Sequence, residues 1–159
     1  MRTQIRTSYA SASLNRLEES RALLESGLYT GSIYFAGLAA ESMLKAFIQG
    51  KGEEIKGHNI PRLAQDAHFS RRLSGGVRAR VDSAITECSQ LWRNLFRYGD
   101  ALDFERWAKE SGTKLEADGR LVRFSALGQD GLRIWSVRIY NLAALIVQEG
   151  QIVCQSKKR

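Results

Sequence analysis

The residues best suited to chemistry stand together at positions 92–98, Trp92, Arg93, Asn94, Leu95, Phe96, Arg97 and Tyr98. Two guanidinium groups one helical turn apart can each fork onto a phosphate, while Asn94 adds a donor and Tyr98 a ring for a base to stack on. At the end of a fourth helix, Arg93 and Arg97 lie within about 40° of each other and opposite the core-facing Leu95, so both guanidinium groups point away from the core. The same pattern also describes a solvated face with an arginine resting on an aromatic ring.

Glu41 and Lys45 are a second candidate pair, spaced i, i+4 in the order that favours an ion pair. They interrupt a strongly apolar stretch and therefore need partners. Either each meets the other or a charge from a neighbouring helix, or Glu41 orients an arginine such as Arg93 at a shared site. His58 and His68 are the only histidines, so a histidine general base must be one of these two. No Ser-His-Asp order, Cys-His pair, HExxH or phosphate-binding glycine loop can be assembled. Gly50, Gly52 and Gly57 surround Lys51 and Lys56 without the P-loop order and read as a turn. Cys88 and Cys154 lie far apart in the chain and suggest neither a disulfide framework nor a zinc site. No metal or cofactor is expected.

The elements that must position these residues are mainly helical. A single proline, Pro61, and the lack of a Ser/Gly-rich linker favour one domain over residues 1–159. Leu14, Leu17, Leu24 and Leu28 mark a first helix over 11–26, with Gly27 where a left-handed cap would sit. A second helix, 30–49, is apolar nearly all round and carries Ala36, Gly37, Ala39 and Ala40, which places it in the middle of a bundle. Asn59 as a cap and Pro61 in the first turn start a short helix over 59–68. Val77, Val81, Ala84, Cys88, Leu91 and Leu95 form the seam of a fourth helix. A variable insert spans 99–130, with a short helix over 103–110 and a hairpin turning at Asp118-Gly119. Trp135, Ile139, Leu142 and Ile146 give the inner stripe of a last helix over 131–151, and 152–159 reads as a basic tail.

The 159 residues carry 24 Lys plus Arg against 17 Asp plus Glu, a net charge of +7, at 43% hydrophobic content. Disordered, collagenous and disulfide-scaffold classes are thereby excluded. The cations are mostly arginine, which suits polyanion binding. Between positions 71 and 97, Arg71, Arg72, Arg78, Arg80, Arg93 and Arg97 face only Asp82 and Glu87. The apolar run 33–48 is broken by Glu41, Ser42 and Lys45 and falls short of the roughly 20 residues of a membrane span. With no signal-peptide core near Met1, a cytoplasmic location and no membrane partner are expected.

Residues 23–47, with a Gly-Leu-Tyr-Thr-Gly turn followed by Ala39-Ala40-Glu41-Ser42-Met43-Leu44-Lys45-Ala46, resemble the HEPN superfamily (higher eukaryotes and prokaryotes nucleotide-binding). His58-Asn59-Ile60-Pro61-Arg62-Leu63 resembles the start of the next family helix, and 92–98 its Arg-Tyr-bearing fourth-helix end. The likeness covers about 8–98 well and the last helix loosely, with the hairpin outside it. It implies an all-α, up-and-down four- or five-helix bundle that dimerises, the fourth-helix motifs of two subunits lining one cleft. Active family ribonucleases carry an arginine followed after four to six residues by histidine and cut RNA without metal. Counted from Arg93, those positions hold Tyr98, Gly99 and Asp100, and the spacing from Arg62 to His68 is one that seventeen arginines readily produce by chance.

The resulting expectation is a homodimer that binds RNA or a nucleotide through Arg93, Asn94, Arg97 and Tyr98, with Glu41 and Lys45 in support, and without catalysis. One alternative is a divergent metal-independent endoribonuclease of toxin–antitoxin or antiphage type, with an antitoxin partner. The other is an interaction partner of a nucleotidyltransferase.

Overall fold

In the computed structural model, which describes residues 2–48 and 55–157, the chain is a helical bundle with one small hairpin. The Lys51 turn and the last two residues of the basic tail lie outside the described residues. Helix α1 (Arg2–Glu25) is followed by α2 (Tyr29–Lys45), α3 (Ile60–Asp66), α4 (Gly75–Leu91), α5 (Ala101–Glu110), strands β1 (Lys114–Ala117) and β2 (Arg120–Arg123), and α6 (Gly131–Ser156). Four long helices, α1, α2, α4 and α6, build the bundle. The short α3 packs on α2 and α4, and α5 on the turn at 124–126.

Helix α2 takes the central place its sequence predicts, packing on α1, α3 and α6 and on the tight turn 94–98. Its small residues set the spacing. Ala36, Ala39 and Ala40 are fully buried, and a Cβ added at Gly37 would overlap the Trp92 indole. Helix α1 meets this face through small residues of its own. Its inward positions are Ser13, Leu17 and Ser20, while Leu14 and Leu28, expected on the inner stripe, are exposed. The small side chains of Ser13 and Ser20, on either side of Leu17, leave room for close approach. Ser20 Oγ donates to the Ser32 carbonyl oxygen at 2.8 Å.

The local signals are realised as expected. Gly27 sits at φ +73°, with the Leu28 amide donating to Leu23 O at 2.8 Å and the Gly27 amide to Leu24 O at 3.1 Å, a Schellman ending for α1. Asn59 Oδ1 accepts from the Arg62 amide at 2.9 Å and starts α3. Asp118 and Gly119, at φ 50° and 73°, turn a hairpin that pairs Lys114 with Arg123 and Ala117 with Arg120. The hairpin persists because it is packed: Leu115 is fully buried, and Glu116 reaches Arg138 on α6 at 3.3 Å. Asp100 and Asp103 form a reciprocal capping box that begins α5.

One expectation fails in a way that matters for function. The seam Val81, Ala84, Cys88, Leu91 is buried, but α4 stops at Leu91 and does not reach Leu95, which is 74% exposed. Trp92 and Arg93 are extended, at φ −136° and −139°, before the chain tightens again over Asn94–Tyr98. Two tryptophans account for the break. Trp135 Nε1 donates to the free Leu91 carbonyl at 3.0 Å, and Trp92 turns in against Gly37. Phe96 takes the inward place predicted for Leu95 and joins Phe104, Trp107, Phe124 and Trp135 in one aromatic block. The last helix carries its stripe as predicted, with Trp135, Ile139 and Ile146 fully buried, and continues past Gln151 to Ser156.

Candidate functional site

The extended step at 92–93 separates the two arginines. Trp92 is the anchor: its ring is buried, stacks on Tyr34 at 6.4 Å and donates from Nε1 to the Tyr34 carbonyl oxygen at 3.1 Å. Arg93 follows on the surface. Its Nη1 donates to the Ser89 and Trp92 carbonyl oxygens, and its guanidinium lies 5.4 Å from the centre of the Trp107 ring. Arg97 rests on a different aromatic, Tyr98, at 4.5 Å. The pair is therefore not one helical face, and the 40° relation expected from a continuous helix does not hold. Arg93, Arg97 and Tyr98 are all exposed and Asn94 is half-buried, so the segment remains open to a ligand.

Tyr34 links this segment to the bundle centre. Burial raises its phenol above the ordinary value of 10.0; Arg97 pulls it down, both by charge and by hydrogen bonding, and Glu41 pushes it up. Arg97 thus faces α2 through Tyr34, whereas Arg93 faces α5 through Trp107.

Glu41 does not orient Arg93. It is 5% exposed, and its two carboxylate oxygens are divided between Lys45 Nζ at 2.7 Å and His58 Nδ1 at 3.0 Å. Lys45 is buried with it. The reading in which Glu41 and Lys45 meet each other is the one realised, and the third member is a histidine. His58 stands just ahead of the α3 cap, with its side chain about half exposed (49%). It lines a cavity of about 520 Å³ together with Asn59, Ser89, Trp92, Arg93 and Asn94. His58 and Arg93 thus line the same cavity although no Arg-to-His spacing relates them in the sequence. Sequence spacing gives no sign of this, because 17 positions separate Glu41 from His58. His68 lies elsewhere, at φ +48°, on a separate groove with Arg71 and Asp82.

The arginine excess around α4 is not a single surface. Arg72 Nε donates to Ala67 O at 2.8 Å, and Arg78 to Ser70 O and Leu73 O at 3.1 and 3.3 Å, so both serve carbonyls of the α3–α4 connection. On the other side of Arg93 a wider groove of about 860 Å³ runs between α4, Trp107 and the hairpin. Arg138 lines it and forks onto Glu87 through two 2.7 Å bonds, which raise its already high pKa further. Among the described residues no three His, Cys, Asp or Glu side chains gather as a metal set. No helix of the described chain is long and apolar enough to cross a membrane.

The described chain is thus a helical bundle with an exposed arginine–aromatic segment after α4 and a buried carboxylate on α2. The HEPN domain model matches residues 9–118, more than half the chain, and the chain belongs to that family. The match includes α5 and β1, beyond the limit at about residue 98 that the motifs alone indicate, and leaves α6 outside. Comparison with curated proteins and with solved structures gives no match.

Proposed function

We propose that the protein binds RNA or a nucleotide phosphate as a homodimer, with Arg93, Asn94, Arg97 and Tyr98 of each subunit lining the site. The observation that carries this reading is the placement of Arg93: exposed, braced on Trp107, and at the edge of a cavity shared with Asn94 and His58. A guanidinium held by carbonyl oxygens on one nitrogen keeps its fork oriented and loses little freedom when it meets a phosphate. Arg97 and Tyr98 extend the site along the chain, offering a second cation and a ring face. Glu41 and Lys45 act from behind, by fixing His58 at the cavity wall.

The dimer part of the proposal is supported by the exposed apolar side chains beside the arginines. Leu95, Tyr98 and Leu102 are each more than 60% exposed along one short segment. Covering them with a second copy would bring two arginine pairs together, a repulsive arrangement that an anion relieves.

Binding of single-stranded RNA measured across a salt series tests the reading. Affinity should fall steeply with salt, and Arg93→Ala/Arg97→Ala should reduce the slope of log K against log salt by about 1.4 for each subunit engaged. Absence of binding at low salt removes the proposal, and a strictly monomeric species by light scattering at micromolar concentration removes its dimeric form.

A further inference from the structure

We propose that the groove between α4, Trp107 and the hairpin is a second subsite for the same ligand, which is a strand of at least three linked nucleotides crossing Arg93 and not a mononucleotide. This rests on the phosphate-binding reading above and chooses between the two ligands it allows.

Among the described residues, Arg93 alone lines both the 520 Å³ cavity with His58 and the 860 Å³ groove toward the hairpin. Each volume falls in the range of about 300–1,000 Å³ that accommodates a small organic ligand. A phosphodiester inside a strand carries a nucleoside on each side, whereas the phosphate of a mononucleotide carries one. A guanidinium with ligand space on both sides therefore matches an internal phosphate. Its remaining donors set the same limit. Both Nη1 protons go to the Ser89 and Trp92 carbonyl oxygens, so Nε and Nη2 are left as a single fork, enough for one phosphate. Trp107 supports that guanidinium at 5.4 Å and is itself stacked on Trp135 at 5.7 Å, so the fork stands on a rigid base.

A second phosphate needs a second cation, and the groove decides which one. Arg138 is engaged: it forks onto Glu87 through two 2.7 Å bonds and reaches Glu116 at 3.3 Å, and both Glu87 oxygens are occupied in return. Lys114, exposed on the hairpin wall of the groove, makes no ion pair among the described residues. The cavity on the other side of Arg93 offers Asn59, Ser89 and Asn94 but no further lysine or arginine. The strand's next charge is therefore met at Lys114, and two phosphates require three nucleosides.

The rest of the groove suits the bases between those charges. Ser83, Thr86, Glu87 and Gln90 fall at intervals that share one face of α4. With Glu87 neutralised by Arg138, that face presents hydroxyl and amide groups, which can donate to and accept from base edges. Leu121, 71% exposed and opposite Glu116 in the hairpin register, adds an aliphatic surface. Leu95 and Leu102 of the proposed dimer face line neither cavity, so strand and second subunit draw on different residues there.

The experiment uses the full chain bound to a labelled single-stranded RNA, with uridine 5′-monophosphate, UpU and UpUpU as competitors at fixed low salt. UpU should compete at least about tenfold better than the monophosphate, and UpUpU about fivefold better again. Arg93→Ala should weaken all three. Lys114→Ala, melting with wild type, should leave UpU within about twofold and weaken UpUpU by about fivefold, the effect of one charged hydrogen bond at an open surface. For UpUpU it should also lower the slope of log K against log salt by about 0.7. UpUpU carrying 4-thiouridine should cross-link on irradiation to peptides from both walls, 58–61 and 111–121. A monophosphate that competes as well as UpUpU, probes that do not compete at all, or a Lys114→Ala change that treats UpU and UpUpU alike overturns the second subsite and leaves the binding reading intact. If the labelled RNA itself does not bind, both are overturned.

Discussion

Gly37→Ala isolates how the bundle sets the site, because two opposite effects compete at one position. In an exposed helix interior, alanine in place of glycine stabilises by about 1 kcal/mol. At Gly37 the added methyl meets the Trp92 indole, which is buried against α2 and bonded to the Tyr34 carbonyl. Overpacking of this kind costs about 1–3 kcal/mol, and losing the indole hydrogen bond adds about 1 kcal/mol. The clash should win by about 2 kcal/mol, a fall of about 4–8 °C in melting temperature for a chain of this size. RNA affinity should drop as well, because displacing Trp92 displaces Arg93. Urea denaturation followed by circular dichroism, together with an RNA titration, reads both effects. A double-mutant cycle sharpens the test: in a Trp92→Leu background the same Gly37→Ala change should become neutral or stabilising. A Gly37→Ala protein as stable as wild type, binding RNA equally well, would refute the idea that this close approach holds the 92–98 segment.

Two further outcomes follow from buried groups. Glu41→Gln should cost about 3–5 kcal/mol in denaturant unfolding, because it strands Lys45 in the interior; replacing both residues with leucine and methionine should recover most of that loss while leaving His58 unanchored. Cys88 is fully buried, and burial pushes its thiol from an ordinary value of 9.0 up to about 12. The folded state therefore keeps a proton that the unfolded chain releases above about pH 9, and stability should decline by up to about 1.4 kcal/mol per pH unit between there and pH 12. Cys88→Ala should flatten that limb of a pH series of melts. In native protein at pH 8, a thiol reagent should label the half-buried Cys154 well before Cys88.

What the sequence shows of this fold is what local chemistry decides. Gly27, Asn59 with Pro61, and Asp118-Gly119 each act within a few residues, so their turn, cap and hairpin are readable without the rest of the chain. The stripes on α4 and α6 are also legible, since their periodicity follows directly from burial of one helix face. The candidate segment was legible as a stretch of sequence but not in its geometry. Arg93, Asn94, Arg97 and Tyr98 share a segment, yet their arrangement depends on Trp135 reaching Leu91 O from α6 and on Trp92 reaching Gly37 on α2. A period of 3.6 residues carried past Leu91 puts Leu95 inside and Phe96 outside, the reverse of what tertiary packing produces. The Glu41–His58 contact has no sequence period at all. It joins α2 to a residue just ahead of the α3 cap.

The aromatic block has a consequence for how this domain can vary. Of its five rings, Phe104, Trp107 and Phe124 come from region 99–130, Phe96 from the arginine-bearing segment and Trp135 from the last helix. Region 99–130 is therefore not a cassette to be swapped at its two ends. A graft lacking those rings would uncover Trp135 and remove the surface on which Arg93 lies, so a change in this region and a change in ligand preference would have to arise together. Chimeras of related domains should tolerate crossovers that keep residues 96–135 from one parent far better than crossovers at residues 99 or 130.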